Sequence, residues 1–175
     1  MHGSHSHSFA IAAVVTLVFA APALSQTIPP PARSVSLAGP RVGITMLSPG
    51  VIDSLLERNI AVRPVISQFG WQIEKQFFTT QSGLTAVTEW VGLLGGLEQS
   101  HAIPSLSWMV GLRTSTGAEF GIGPNITPAG PALAIAAGVT LRSGVVNIPF
   151  NVAVVPSGAG VRLSVLTGFN LRGKR

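Results

Sequence analysis

Over residues 68–172 the chain alternates between bulky apolar side chains and small or polar ones. The runs are short, and Gly, Pro, Ser or Asn break them at nearly even intervals. A repeat of two marks β-strands whose faces meet unlike surroundings. The non-apolar face is mostly Gly, Ala, Ser and Asn. A sheet surface in water is normally rich in Thr, Lys, Glu and Gln. Side chains this small suit the narrow interior of a small barrel.

Counting the alternating runs gives about eight strands. The first spans residues 41–47, with Val42, Ile44 and Met46 on one face. Ser48-Pro49-Gly50 then opens VIDSLLERNI, where Val51, Ile52, Leu55 and Leu56 recur at helical spacing. Ser48 fits a cap and Pro49 the first helical position. In the second strand Val65, Phe69, Trp71, Ile73 and Phe77 share one side. In the third, Leu84, Trp90 and Leu94 oppose Thr85, Glu89 and Gly95. The fifth contains Pro124, which lacks an amide donor and predicts a bulge or strand end. All later connections are short, so consecutive strands pair antiparallel. The expected fold is all-β: an antiparallel up-and-down meander closing into a small barrel, with one short helix between the first two strands. Closure leaves no strand unpaired at its flank.

Two placements of the apolar stripe compete. In a soluble barrel it faces inward; in a membrane barrel it faces lipid and the other face fills the lumen. Each large apolar side chain left in water forgoes about 1.5–3 kcal/mol, so the stripe must be covered. Charged residues are only 10% of the 175-residue chain, against roughly 25–35% for an ordinary soluble surface. The sixth strand offers Ala132, Ala134, Ala136 and Gly138 on its other face, which favours the lumen. The outward set then includes Trp71, Trp90, Trp108, Phe120, Phe150 and Phe169. The lumen set carries Glu74, Glu89, Arg113, Glu119, Arg142 and Arg162. In a narrow lumen these opposed charges must pair, either as a plug or as a gated polar pathway.

Residues 9–23 read FAIAAVVTLVFAAPA, too short for a comfortable membrane helix but right for a secretory h-region. Small-residue patterns at residues 21–25 place a cleaved signal peptide at 1–25. Its n-region holds His2, His5 and His7, which would be lost on cleavage. Residues 26–40 contain four prolines and read as an extended lead-in to a single barrel domain over 41–175.

The signal peptide, the alternating segments and the closing run GVRLSVLTGFNLR resemble small bacterial outer-membrane β-barrel proteins. Gly160, Phe169 and Leu171 fall in the arrangement of a barrel-assembly signal. The chain departs from that pattern by ending in Arg172-Gly173-Lys174-Arg175, and it has no tyrosine. The resemblance implies an outer-membrane location, with the lipid bilayer and the barrel-assembly machinery as partners.

Nothing in the sequence assembles an active site, and no cofactor is implied. Cysteine is absent, which excludes disulfides, thiolate metal sites and a cysteine nucleophile. His101 is the only histidine after the signal peptide and lies in a turn without a G-x-S-x-G elbow. Asp53 and Glu57 lie four apart on the helix, as a solvated face with Arg58. Gly92, Gly95 and Gly96 do not open a helix after a strand, so they fit close strand packing better than phosphate binding. The net charge is +5, but apart from Arg172, Lys174 and Arg175 the basic residues are scattered singly, with no basic stripe and interleaved aromatics, which argues against nucleic acid.

The expected function is therefore non-enzymatic: an outer-membrane structural element, anchor or very narrow pore. Two alternatives stand beside it. One is a secreted or periplasmic lipocalin-like carrier of an apolar ligand, with the helix as a lid. The other is a self-assembling envelope or filament subunit, with the stripe as its interface.

Overall fold

The computed structural model describes residues 36–143 and 146–172. The signal peptide expected at 1–25 lies outside the described residues, as does most of the expected lead-in. In chain order the elements are β1 (Ser36–Leu47), α1 (Pro49–Leu56), β2 (Val65–Thr79), β3 (Thr85–Gly95), a 3-10 turn (Leu97–Gln99), β4 (Ile103–Arg113), β5 (Ala118–Thr127), β6 (Gly130–Ser143), β7 (Val146–Ser157), β8 (Gly160–Gly168) and β9 (Asn170–Arg172). Each strand from β2 to β8 pairs antiparallel with the next. β1 pairs with both β2 and β8, so the sheet closes on itself. β9 continues β8 against β1 and β7 without a register shift. Counting β8 and β9 as one leaves an eight-stranded antiparallel barrel with one helix between the first two strands, as the alternation indicates.

The break between β8 and β9 has a local cause. The pairs Arg41↔Gly168 and Ala38↔Leu171 bring Pro40 level with Phe169. On the other flank, Phe150↔Thr167 and Asn147↔Asn170 bring Pro149 level with Gly168. Neither proline has an amide to donate, and the ladder lapses between them. β1 also begins earlier than expected. Residues 36–40 belong to the wall, because Ser36 through Pro40 pair with Lys75 through Trp71.

Two irregularities differ from expectation. Pro124 causes no bulge: Ser107↔Asn125 and Val110↔Ile122 keep one register, and Pro124 pairs with Leu133 on β6. Only the ladder to β4 lapses beside it. The bulge falls instead between Gln76 and Phe78. It turns both Phe77 and Phe78 outward, since the extra residue breaks strict alternation.

α1 seats on one mouth of the barrel. Val51 and Leu55, four apart on one face, are buried against Leu47, Ile66 and Ile103 from three strands. Leu56, expected on the same face, is 56% exposed, while Ile52 is partly buried. Ser48 occupies the cap position but does not cap with its side chain. Its hydroxyl accepts the Val161 amide at 2.9 Å, tying the helix start to β8. The same mouth carries the 3-10 turn. The opposite mouth carries both ends of the described chain and the turns around Gly83 and Gly117.

Candidate functional site: wall and lumen

Strand alternation sorts the side chains into an apolar wall and a polar lumen. Trp71 (54% exposed), Trp90, Trp108 (44%), Phe120, Phe150 and Phe169 all stand on the outer wall. Val42, Ile44, Leu106, Leu112, Ile126, Leu133, Val152 and Val165 continue it around the barrel. Trp90 and Trp108 stack with ring centroids 6.0 Å apart. Some polar groups of the wall are satisfied within it. The Trp108 indole donates to the Thr88 hydroxyl at 2.9 Å, and Thr88 donates to the Met109 carbonyl at 3.3 Å. Thr167 likewise donates to the Pro149 carbonyl at 3.0 Å. Among the described strand side chains, Lys75 is the one charge on this face, near the mouth that carries the chain ends.

The lumen centres on Arg113, at the end of β4. Its two terminal nitrogens donate to the two carboxylate oxygens of Glu74, each at 2.5 Å. Its Nε donates to Glu119 at 2.7 Å, and Glu89 lies 4.0 Å away. This is the planar fork matching a carboxylate, with a second acid on its remaining edge. Glu74 is wholly buried and also accepts from Gln76 at 3.1 Å. Thr140 on β6 donates to Glu119. Four strands are thus tied across the lumen, at the half nearer the chain ends. Glu74, Glu89, Arg113 and Glu119 are therefore brought together. The Arg142 side chain lies outside the described residues, and Arg162 stands apart, toward the α1 mouth.

Arg41 joins the lumen although the sequence reading passed over it. It is 1% exposed, and its guanidinium donates to Gln72 at 2.9 Å, Asn170 at 2.6 Å and the Pro40 carbonyl at 2.8 Å. The signal was present: Arg41 alternates with Val42, so it shares the inward face with Thr45. Further along, Thr45 bonds Gln68 at 2.7 Å and Ser164 at 2.6 Å. Asn125 donates to Ser105 and Ser107, both at 2.9 Å.

The lumen is less uniformly small than expected. Val87, Val91, Met109 and Val155 are buried there beside Ala134. The small residues of β5 and β6 leave space that these longer side chains fill from β3, β4 and β7. A cavity of about 70 Å³ remains in the half toward α1, lined by Gln68, Glu89, Ser107, Asn151 and Arg162 among others.

Elsewhere the turn residues remain local. His101 places Nδ1 2.7 Å from the Gln99 carbonyl and contacts no acid or serine hydroxyl. Asp53 on α1 and Glu57 just past its end are exposed, and Arg58 donates to the Ser54 carbonyl at 2.6 Å and hydroxyl at 2.8 Å. Gly95 fits the close packing expected, with a Cβ there only 3.0 Å from Ile66, but Gly92 faces open space outside the wall. On the 3-10 turn, Glu98 accepts from the Ser67 hydroxyl and from its amide at 3.0 Å. Those bonds hold its carboxyl down, at about 2. Among the described residues no group of three His, Asp or Glu is arranged to hold a metal. None of the described helices is long and apolar enough to cross a membrane, which says nothing of strands.

The chain matches no protein family and no curated protein.

Proposed function

We propose that this chain is a small, non-enzymatic outer-membrane β-barrel that serves as an anchor or structural element. The observation that carries the reading is the inverted polarity of the barrel. Each of the strands β1 to β8 turns bulky apolar residues outward, 37 to 61% exposed, while Arg41, Glu74, Arg113 and Arg162 are buried within. Full burial of one such side chain is worth about 1.5–3 kcal/mol. A bilayer covers all of them at once. Strands β1 to β8, 9 to 15 residues long, meet the length a tilted strand needs to cross hydrocarbon. The self-satisfied indole of Trp108 also suits a place without water.

The same polarity counts against a carrier of apolar ligands, because acids, arginines, amides and hydroxyls share the interior with its few apolar side chains and the remaining cavity is only about 70 Å³. The Arg113 cluster crosses one half of the lumen and α1 seats on the other mouth, which favours an anchor over an open pore. By the usual asymmetry of such barrels, the mouth with the longer connections, bearing α1, faces out of the cell.

Fractionation of cells expressing the full chain tests the reading. We expect retention in the outer membrane until detergent is added, and a folded band whose gel migration changes on boiling. Release by a salt or osmotic wash as a monomer would return the carrier; release as large detergent-free assemblies would return the self-assembling subunit.

A further inference from the structure

We propose that the lumen holds a binding site for a small oxyanion, of the hydrogen phosphate type, on Arg162. The inference goes beyond the barrel's role as an anchor. It holds whether the wall meets lipid or water.

Arg162 projects from β8 beneath α1 and is 7% exposed. One guanidinium nitrogen, Nη1, donates to the Thr127 hydroxyl at 2.7 Å. Nε and Nη2 are buried and meet no acceptor among the described residues. Those two nitrogens form the side-on edge of the guanidinium, the edge that matches two oxygens of a carboxylate or phosphate. An arginine keeps its charge at any ordinary pH, so burial cannot be relieved by losing a proton. Arg113 meets three carboxylates in the other half of the lumen. Arg162 makes no ion pair with any described residue. A buried, unpaired guanidinium is costly.

The space in front of it is suited to such a ligand. The polar groups of the cavity of about 70 Å³ include Arg162, Glu89, Asn125, Asn151 and Ser164, and apolar side chains such as Met109 and Val155 close the rest of it. That volume exceeds the roughly 10–15 Å³ one water requires. Asn125 Oδ1 and Asn151 Oδ1 are also buried without a donor. A hydrogen phosphate brings two oxygens for the Arg162 edge and a hydroxyl to donate to one of these amides. Glu89 lines the same cavity but lies on the Arg113 side, 4.0 Å from that guanidinium. It opposes an anion by charge, and this makes the site testable from both directions.

The test uses the barrel refolded in detergent and inorganic phosphate titrated against chloride at constant ionic strength, read by calorimetry and by the thermal midpoint. Saturable phosphate binding is expected, with chloride without effect. Arg162→Gln should weaken it by at least about tenfold, the scale of a lost charged hydrogen bond. Glu89→Gln should tighten it. Arg162→Lys retains the charge without the fork and should lose the preference for phosphate over chloride; this variant decides the matter if Arg162→Gln does not fold. Phosphate binding that persists unchanged in Arg162→Gln or Arg162→Lys, or no saturable binding in the parent barrel, overturns the proposal. Neither result bears on where the barrel resides, which fractionation reads separately.

Discussion

Arg113 sits among carboxylates with its side chain only 5% exposed and its main partner, Glu74, fully covered. Removing it strands buried negative charge as well as deleting contacts. Arg113→Ala is therefore expected to cost about 3–5 kcal/mol, read as a lowered urea midpoint of the refolded barrel. Adding Glu74→Gln should restore part of the loss. Glu98 works on the surface, and its contribution depends on pH. Its folded carboxyl is held at about 2 by Ser67, below its ordinary value. Its stabilising contribution is thus complete above that ordinary value and is lost as pH falls toward 2. We expect a carboxyl carbon titration of Glu98 to show this low midpoint, and Ser67→Ala to move it upward. The lumen charges on β2, β3, β4, β5 and β8 were legible because each stood in alternation with bulky apolar neighbours. Arg41 opens the strand expected over residues 41–47, so no alternation precedes it to mark its face. That Arg113 would choose Glu74 was not legible at all. The stagger of a closed sheet carries β2 and β4 side chains past β3, and no spacing along the chain encodes it.

β1 meets the last strand at its closest approach beside Gly39. A Cβ there would lie 1.7 Å from the Phe169 carbonyl oxygen, and backbone cannot yield as a side-chain tip can. Gly39→Ala should sharply reduce the folded fraction, seen as loss of the heat-modifiable band. Helix α1 gives a cleaner contrast. Leu55→Ala should cost about 2–5 kcal/mol, whereas Leu56→Ala should leave the urea midpoint nearly unchanged. The helix itself was legible from its spacing and from Ser48-Pro49. Which of its apolar residues face the barrel was not, since an eight-residue helix presents too few turns to define one stripe. The bulge at Phe77 was equally hidden, because Gln76-Phe77-Phe78-Thr79 reads as strand with or without it. Pro124 shows the reverse: a missing donor weakens one ladder without moving the register.

At the scale of the molecule, alternation alone named the meander but was symmetric with respect to inside and outside. Only the smallness of one face separated the two placements. Orientation is open to direct measurement, because the chain has no cysteine. A maleimide that cannot cross membranes should label Asp53→Cys on α1 in intact cells. Ser82→Cys, in the β2–β3 turn at the opposite mouth, should be labelled only after lysis. Equal labelling of both would contradict the proposed placement. The seam of the barrel joins its first strand to its last, with Ile44 meeting Val165. A growing chain therefore carries two bare edges until β8 and β9 have emerged. A copy truncated before Gly160 would keep them for good, ready to recruit sister chains into polymers.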